Sequence, residues 1–300
     1  MRLFYTDVFV LPLPAGHRFP MEKYSRLREA LLASGEFGPA DFHLPHAATD
    51  QELARAHDQK YIDAVSHGQL EKTAEKQIGF PWSAGMVERS RRSAGATICA
   101  CRAALEDGVA ANLAGGTHHA FRDHGEGFCV FNDAAIAARA MQAEGRADRV
   151  LIVDCDVHQG NGTASILRGD DSIFTFSIHG ARNFPFDKEQ SDLDIELPDG
   201  CSDAAYLRQL AHGLDTAFDL SRPDLVIYLA GADPYHDDRL GRLGLSFEGL
   251  AERDRMVFNK ALVHRAPVAI AMAGGYARQI NDTVSIHRQT ILLAKSIRTP

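Results

Sequence analysis

The stretch Val150-Leu151-Ile152-Val153-Asp154-Cys155-Asp156-Val157-His158-Gln159-Gly160-Asn161-Gly162 carries an apolar run directly into a cluster of polar groups. In extended backbone alternate side chains share a face, so Asp154, Asp156 and His158 point one way while Cys155 and Val157 enter the opposite layer. A lone aspartate at a strand end is ordinarily a turn former or a helix cap. Two carboxylates and an imidazole on one face are different, because like charges held together cost energy unless a cation or a proton offsets them. Open parallel α/β sheets place their chemistry in the crevice beyond the carboxyl ends of the strands. The stretch therefore predicts a metal site at the end of a central strand.

Outward from it, the chain alternates between strand and helix signals. An alanine-rich helix from Asp133 to Glu144 is stopped by Gly145 and leads into the central strand. Downstream, strands over Ser172–His179, Leu225–Ala230 and Pro267–Ala273 alternate with helices over Asp203–Phe218 and from Ser246 to about Val263, and a helix closes the chain. Upstream, Arg2–Tyr5 reads as a short strand, and Met21, Tyr24, Leu27 and Leu31 recur at helical spacing. Thr49 with Glu52 forms a capping box opening one or two short helices to about Ser66. Ser83 caps a long helix to Gly108, and Val109–Ala114 is a strand. Gly115–Asn132, with His118, His119, His124 and several glycines, reads as a long functional loop. Helical crossovers between strands imply an open, mostly parallel sheet with helices on both faces, and no linker divides residues 1–300 into more than a single domain.

Bulk properties exclude several function classes. The chain has no apolar run long enough to span a bilayer and no secretory signal, so a soluble cytoplasmic protein without a membrane partner is expected. Five cysteines without a C-x-x-C pair fit reduced thiols. A formal net charge of -8 argues against direct contact with nucleic acid, whose phosphates call for a basic surface.

Four strand ends then present polar groups to one rim: the histidine pair after Ala114, the Asp154 cluster, Asp233 and Tyr276. A catalytic zinc typically keeps three protein ligands and leaves a position for water or substrate; Asp156, His158 and Asp233 are the candidates. Together, Gly116-Thr117-His118-His119, Gly127-Phe128-Cys129, Asp154 through Gly162, Gly231-Ala232-Asp233, Asp238-Arg239-Leu240-Gly241 and Gly274-Gly275-Tyr276 resemble the histone deacetylase family of arginase-like fold. The wording Gln159-Gly160-Asn161-Gly162 is more similar to the class IV branch than to class I, in which His and Asp stand at the positions of Gln159 and Asn161.

The resemblance implies zinc-dependent hydrolysis of an N-acyl amine, with ferrous iron as the alternative metal. It implies His119 as the proton carrier, His118 as electrostatic support, and Tyr276 as the donor to the oxyanion. Asp154 would hold His118 and Asn161 would hold His119; a neutral amide stabilises imidazolium less than a carboxylate does. Phe128 and Phe184 resemble the aromatic walls of the family's acyl-lysine tunnel, with Gly127 leaving room and Leu240 at the rim. Asp154, Ser177 and the backbone of Asp156, His158 and Ile178 match the family's structural potassium site, and His17, Pro20 and Met21 resemble the lining of its inner acetate-release pocket. Between Thr73 and Ser90 no counterpart stands out for the acidic loop residue with which other members grip the substrate backbone. The expected substrate is an acyl-lysine protein or peptide, with acyl length open; an acylated small amine such as an acetylpolyamine is the alternative, and an inactive metal-binding scaffold the rival of another class.

Overall fold

The computed structural model describes residues 1–14 and 16–296. Its centre is β4 (Val150–Asp154), whose five residues are all buried. β4 pairs in parallel with β5 (Ile173–Gly180) on one side and β7 (Leu225–Leu229) on the other. With β1 (Leu3–Phe4), β2 (Phe42–His43), β3 (Val109–Asn112), β6 (Leu193–Leu197) and β8 (Val268–Ala271), they form one eight-stranded sheet in the order β2-β1-β3-β8-β7-β4-β5-β6. Every pairing is parallel; β6 follows β5 through a connection without a helix, and the other successive strands are separated by helices.

The alternation within β4 divides the core into two layers. Val150 and Ile152 pack toward the apolar faces of α5 (Ala84–Asp107) and α6 (Asp133–Ala143). Leu151 and Val153 pack toward α8 (Asp203–Ser221), α9 (Phe247–Val263) and α10 (Ile280–Ser296), on the same side as α1 (Glu22–Ala33). A strand covered on both faces must be apolar throughout, which is why Val-Leu-Ile-Val ends only where the sheet ends.

Several elements go beyond the sequence reading. The edge strands β2 and β6 and the short helices α4 (Lys72–Ile78) and α7 (Asn161–Leu167) were not expected. β2 has two residues, too few to display a period, and Asn161-Gly162 at the start of α7 has the composition of a turn. β3 ends at Asn112 rather than Ala114 because the Asn112 side chain itself accepts from the Ala114 amide at 2.9 Å, replacing the ladder bond. The capping box opening α2 (Asp50–Leu53), ahead of α3 (Gln59–His67), is present, with Thr49 and Glu52 exchanging hydrogen bonds. Among the described residues no helix is long and apolar enough to cross a membrane.

Candidate active site

The polar strand ends predicted to share a rim belong to β3, β8, β7 and β4, four consecutive strands of the sheet. Regular pairing of β4 stops at Asp154, and residues 156–158 bend, so the extended geometry assumed for Asp156 and His158 is not kept. The alternation nonetheless continues, since Cys155 and Val157 remain in the core beneath while Asp156 and His158 stand above. Three bonds hold this bend against the loop after β7: the Val157 amide donates to Asp233 Oδ1 at 2.9 Å, and Arg253 on α9, fully buried, donates to the carbonyls of Gly231 and Cys155 at 2.5 and 3.4 Å.

Asp156, His158 and Asp233 converge, each offering a ligand atom within 4.8 Å of the others. His158 Nδ1 lies 2.9 Å from Asp156 Oδ1 and 3.4 Å from Asp233 Oδ2. Burial together with the neighbouring Asp156 pushes the Asp233 carboxyl up to about 7, the mark of two carboxylates that cannot both stay ionised without a cation between them. Asp233 Oδ2 is buried without a hydrogen-bond partner. An unsatisfied buried oxygen beside a second carboxylate and an imidazole fits a borderline divalent ion such as zinc. Gly274 closes the cradle: its amide donates to Asp156 Oδ2 at 2.7 Å, and a Cβ there would overlap Asp233 Oδ2.

Above the cradle stand the two histidines. His118 Nδ1 contacts Asp154 Oδ2 at 2.6 Å, and His119 Nδ1 contacts Asn161 Oδ1 at 2.7 Å. Burial works against a charge on His118, but Asp154 and Asp156 outweigh it and raise its pKa to about 9. Burial and the neighbouring His118 and His158 hold His119 well below the ordinary imidazole range, so its ring is neutral. Two residues outside the predicted set shape this loop. Asp133 accepts from the amides of Gly116 and Thr117 at 3.0 and 2.7 Å, and His57 bridges the Phe121 carbonyl and the Asn132 amide at 2.8 and 2.9 Å.

Tyr276 follows β8 and is buried, which drives its phenol pKa well above the usual 10 and keeps it a hydrogen-bond donor. Asp238 places it, accepting from the Tyr276 amide at 2.6 Å with one oxygen and from the Leu240 and Gly241 amides at 2.8 and 3.0 Å with the other. Asp154 and Ser177 stand in register on β4 and β5, next to Ile178; the Ser177 hydroxyl lies 2.9 Å from His179 Nδ1. Gln159 is buried and bonds Asp194 at 2.9 Å and the Glu189 carbonyl at 2.6 Å, tying the motif to the edge strand β6.

The Asp156–His158–Asp233 cradle, the two histidines and Tyr276 open on one cavity of about 560 Å³. Gly127, Phe128, Phe184 and Leu240 line it, together with His118, His119, Asp156, His158, Asp233 and Tyr276. Gly127 and Phe128 have φ of +56° and +67°, a backbone region unusual for a bulky residue and common where a side chain must be aimed. The His119 and Phe184 rings meet edge to face with centroids 4.9 Å apart. Sequence reading missed several rim residues: Arg18, Gln77, Glu126, Arg182, Phe186 and Arg242. None lies in a periodic element that would betray it, and Gln77 sits in the unexpected α4, where no acidic counterpart had been found. His17, Pro20 and Met21 line a separate cavity of about 380 Å³, which shares Phe19 with the first.

The histone deacetylase domain model matches residues 17–291. A Picosynechococcus protein is 46% identical over 283 residues, covering 94% of each chain. Histone deacetylase 2 of Arabidopsis thaliana is 30% identical over 300 residues, covering 95% of this chain and 78% of its own. Among solved structures, a histone deacetylase homologue from Aquifex aeolicus superimposes with a TM-score of 0.85 at 24% identity, over 98% of this chain and 84% of its own. Acetylpolyamine aminohydrolase from Burkholderia pseudomallei gives 0.77 at 22%, over 99% and 100%. With a domain match across most of its length and a curated relative similar over nearly all of it, the chain belongs to the histone deacetylase domain family.

Proposed function

We propose that the chain is a zinc-dependent deacylase that cleaves N-acyl-lysine amides. The observation that carries this reading is the shared cavity: the buried Asp156, His158 and Asp233 face the same space as His118, His119 and Tyr276. When bound by those three residues, zinc supplies Lewis-acid polarisation of the acyl carbonyl and a water acidic enough to attack near neutral pH. Neutral His119 accepts the proton of the attacking water and returns it to the leaving amine. Charged His118, held by Asp154, offsets negative charge as it develops, and Tyr276 donates to the oxyanion. Phe128 and Phe184 sheathe the aliphatic stem of the substrate and exclude water. Asp154, Ser177 and the backbone of Asp156, His158 and Ile178 would hold a structural potassium ion that offsets the charge of the carboxylates, a reading supported by the register of Asp154 with Ser177.

The rim favours acyl-lysine over acetylpolyamine. Arg18, Arg182 and Arg242 line the mouth against the single carboxylate of Glu126, and one carboxylate, Asp199, serves both Arg182 and Arg242 at 2.6 and 3.4 Å. A polycationic amine meets like charge there, whereas a polypeptide flank does not. Phe186, 81% exposed beside Phe184, adds an apolar shelf outside the tunnel. The test is hydrolysis of an acetyl-lysine peptide, a long-chain acyl-lysine peptide and an acetylpolyamine, with and without chelator. Chelator-sensitive turnover of at least one acyl-lysine peptide, exceeding that of the polyamine, is expected. Faster polyamine turnover would reverse the substrate assignment, and activity on none after zinc reconstitution would favour the scaffold.

A further inference from the structure

The bond that holds His119 comes from an amide, and an amide has two ends. Asn161 is buried at the start of α7, and its Oδ1 lies 2.7 Å from His119 Nδ1. Were nothing else present, the amide could turn over, offer its NH2 to a bare Nδ1, and place the imidazole proton on Nε2. In that tautomer His119 has no free nitrogen toward the cavity and cannot accept a proton.

The other end of Asn161 is occupied. Its Nδ2 donates to Glu126 Oε1 at 2.6 Å. A carboxylate accepts and never donates, so the NH2 of Asn161 must face Glu126 and its oxygen must face His119, whose Nδ1 must then carry the proton. Glu126 is itself braced, since its Oε2 accepts from Gln77 Nε2 at 3.2 Å, and the next two amides, Gly127 and Phe128, donate to the Gln77 and Ile78 carbonyls at 3.1 and 2.8 Å. The end of α4 thereby fixes the loop that presents Glu126, and the charge a neutral Asn161 lacks returns one residue further out.

We propose that Glu126 is a positioning residue, which locks the orientation of the Asn161 amide and so fixes His119 in the Nδ1–H tautomer with Nε2 bare. The proposal rests on the reading of His119 as proton acceptor. Outer partners of this kind typically matter about 10- to 100-fold in rate.

The experiment compares wild type, Glu126→Gln, and the double variant Glu126→Gln/Asn161→Asp. A glutamine in place of Glu126 can accept or donate, so it no longer dictates how Asn161 lies. In the double variant the carboxylate that replaces the Asn161 amide can only accept, so it restores the Nδ1–H tautomer without Glu126, while the introduced glutamine donates to it. Two readouts are taken: the His119 tautomer by nitrogen NMR on metal-free, histidine-labelled protein above neutral pH, and kcat and KM of the zinc-loaded protein on an acyl-lysine peptide. Expected are a single Nδ1–H tautomer in wild type, a mixture in Glu126→Gln with kcat lowered about tenfold and KM changed less than about twofold, and recovery of both tautomer and kcat in the double variant. A pure Nδ1–H tautomer with unchanged kcat in Glu126→Gln, an effect on KM alone, or a double variant no better than the single would each overturn the proposal. If wild type hydrolyses no acyl amide, the functional reading fails, and the tautomer still decides the role of Glu126.

Discussion

Gly274 meets two carboxylates in the space where a side chain would stand. A Cβ there would overlap Asp233 Oδ2 and lie 2.5 Å from Asp156 Oδ2, both aspartates being fixed by buried backbone bonds. Gly274→Ala is thus expected to spread the two aspartates and weaken zinc binding about 10- to 100-fold with the fold retained, measured by competition against a zinc indicator. Tyr276 acts differently, because its donation strengthens only as charge develops on the carbonyl oxygen. Tyr276→Phe should lower kcat about 10²- to 10³-fold and leave KM within a few-fold, by steady-state kinetics on an acyl-lysine peptide. At this scale Asp156 and His158 were legible as a pair because the alternation of β4 continues past its end and puts both on one face. Glu126 was not, because its partner Asn161 lies 35 positions away and neither loop has a period.

Among the elements, the His118–His119 loop depends on a histidine from another part of the chain. His57, between α2 and α3, uses both ring nitrogens: one donates to the Phe121 carbonyl and the other accepts from the Asn132 amide, which only the neutral ring can do. Burial lowers its pKa from 6.5 to about 4. The unfolded chain therefore binds the extra proton first as pH falls, and stability that is full above 6.5 is lost toward 4, by about 3 kcal/mol at most. In urea unfolding across this range, His57→Gln, which keeps a donor and an acceptor but no titration, should show a shallower loss. An unchanged slope would move the effect to the other buried histidines. In the sequence a single histidine in a short helical region carries no sign of what it bonds. By contrast, α5, α6 and α9 were legible from their caps and apolar faces, because helix ends and stripes are local properties. The edge strand β6 alternates Leu193, Ile195 and Leu197 with Asp194 and Glu196, a pattern that was there to be found.

For the whole molecule, strand order is what brings the site together. β3, β8, β7 and β4 come from distant parts of the chain and lie side by side, so ligands and histidines separated widely in sequence meet at one sheet edge. The alternation of strand and helix implied a parallel sheet, and the resemblance of the motifs named its fold, yet nothing in composition or spacing orders its strands. Because two of the proposed ligands come from the loop after β4 and one from the loop after β7, zinc should tie these segments in the folded state alone. A zinc excess of about 100-fold over Kd should raise the melting temperature by about 5 °C, read by differential scanning fluorimetry. The measurement that tests the account most directly is zinc content after exhaustive dialysis, wild type against Asp233→Asn. About one zinc per chain in wild type and little in Asp233→Asn is predicted. Full retention by Asp233→Asn, or no binding by wild type, would contradict the three-residue metal centre on which the proposed chemistry stands.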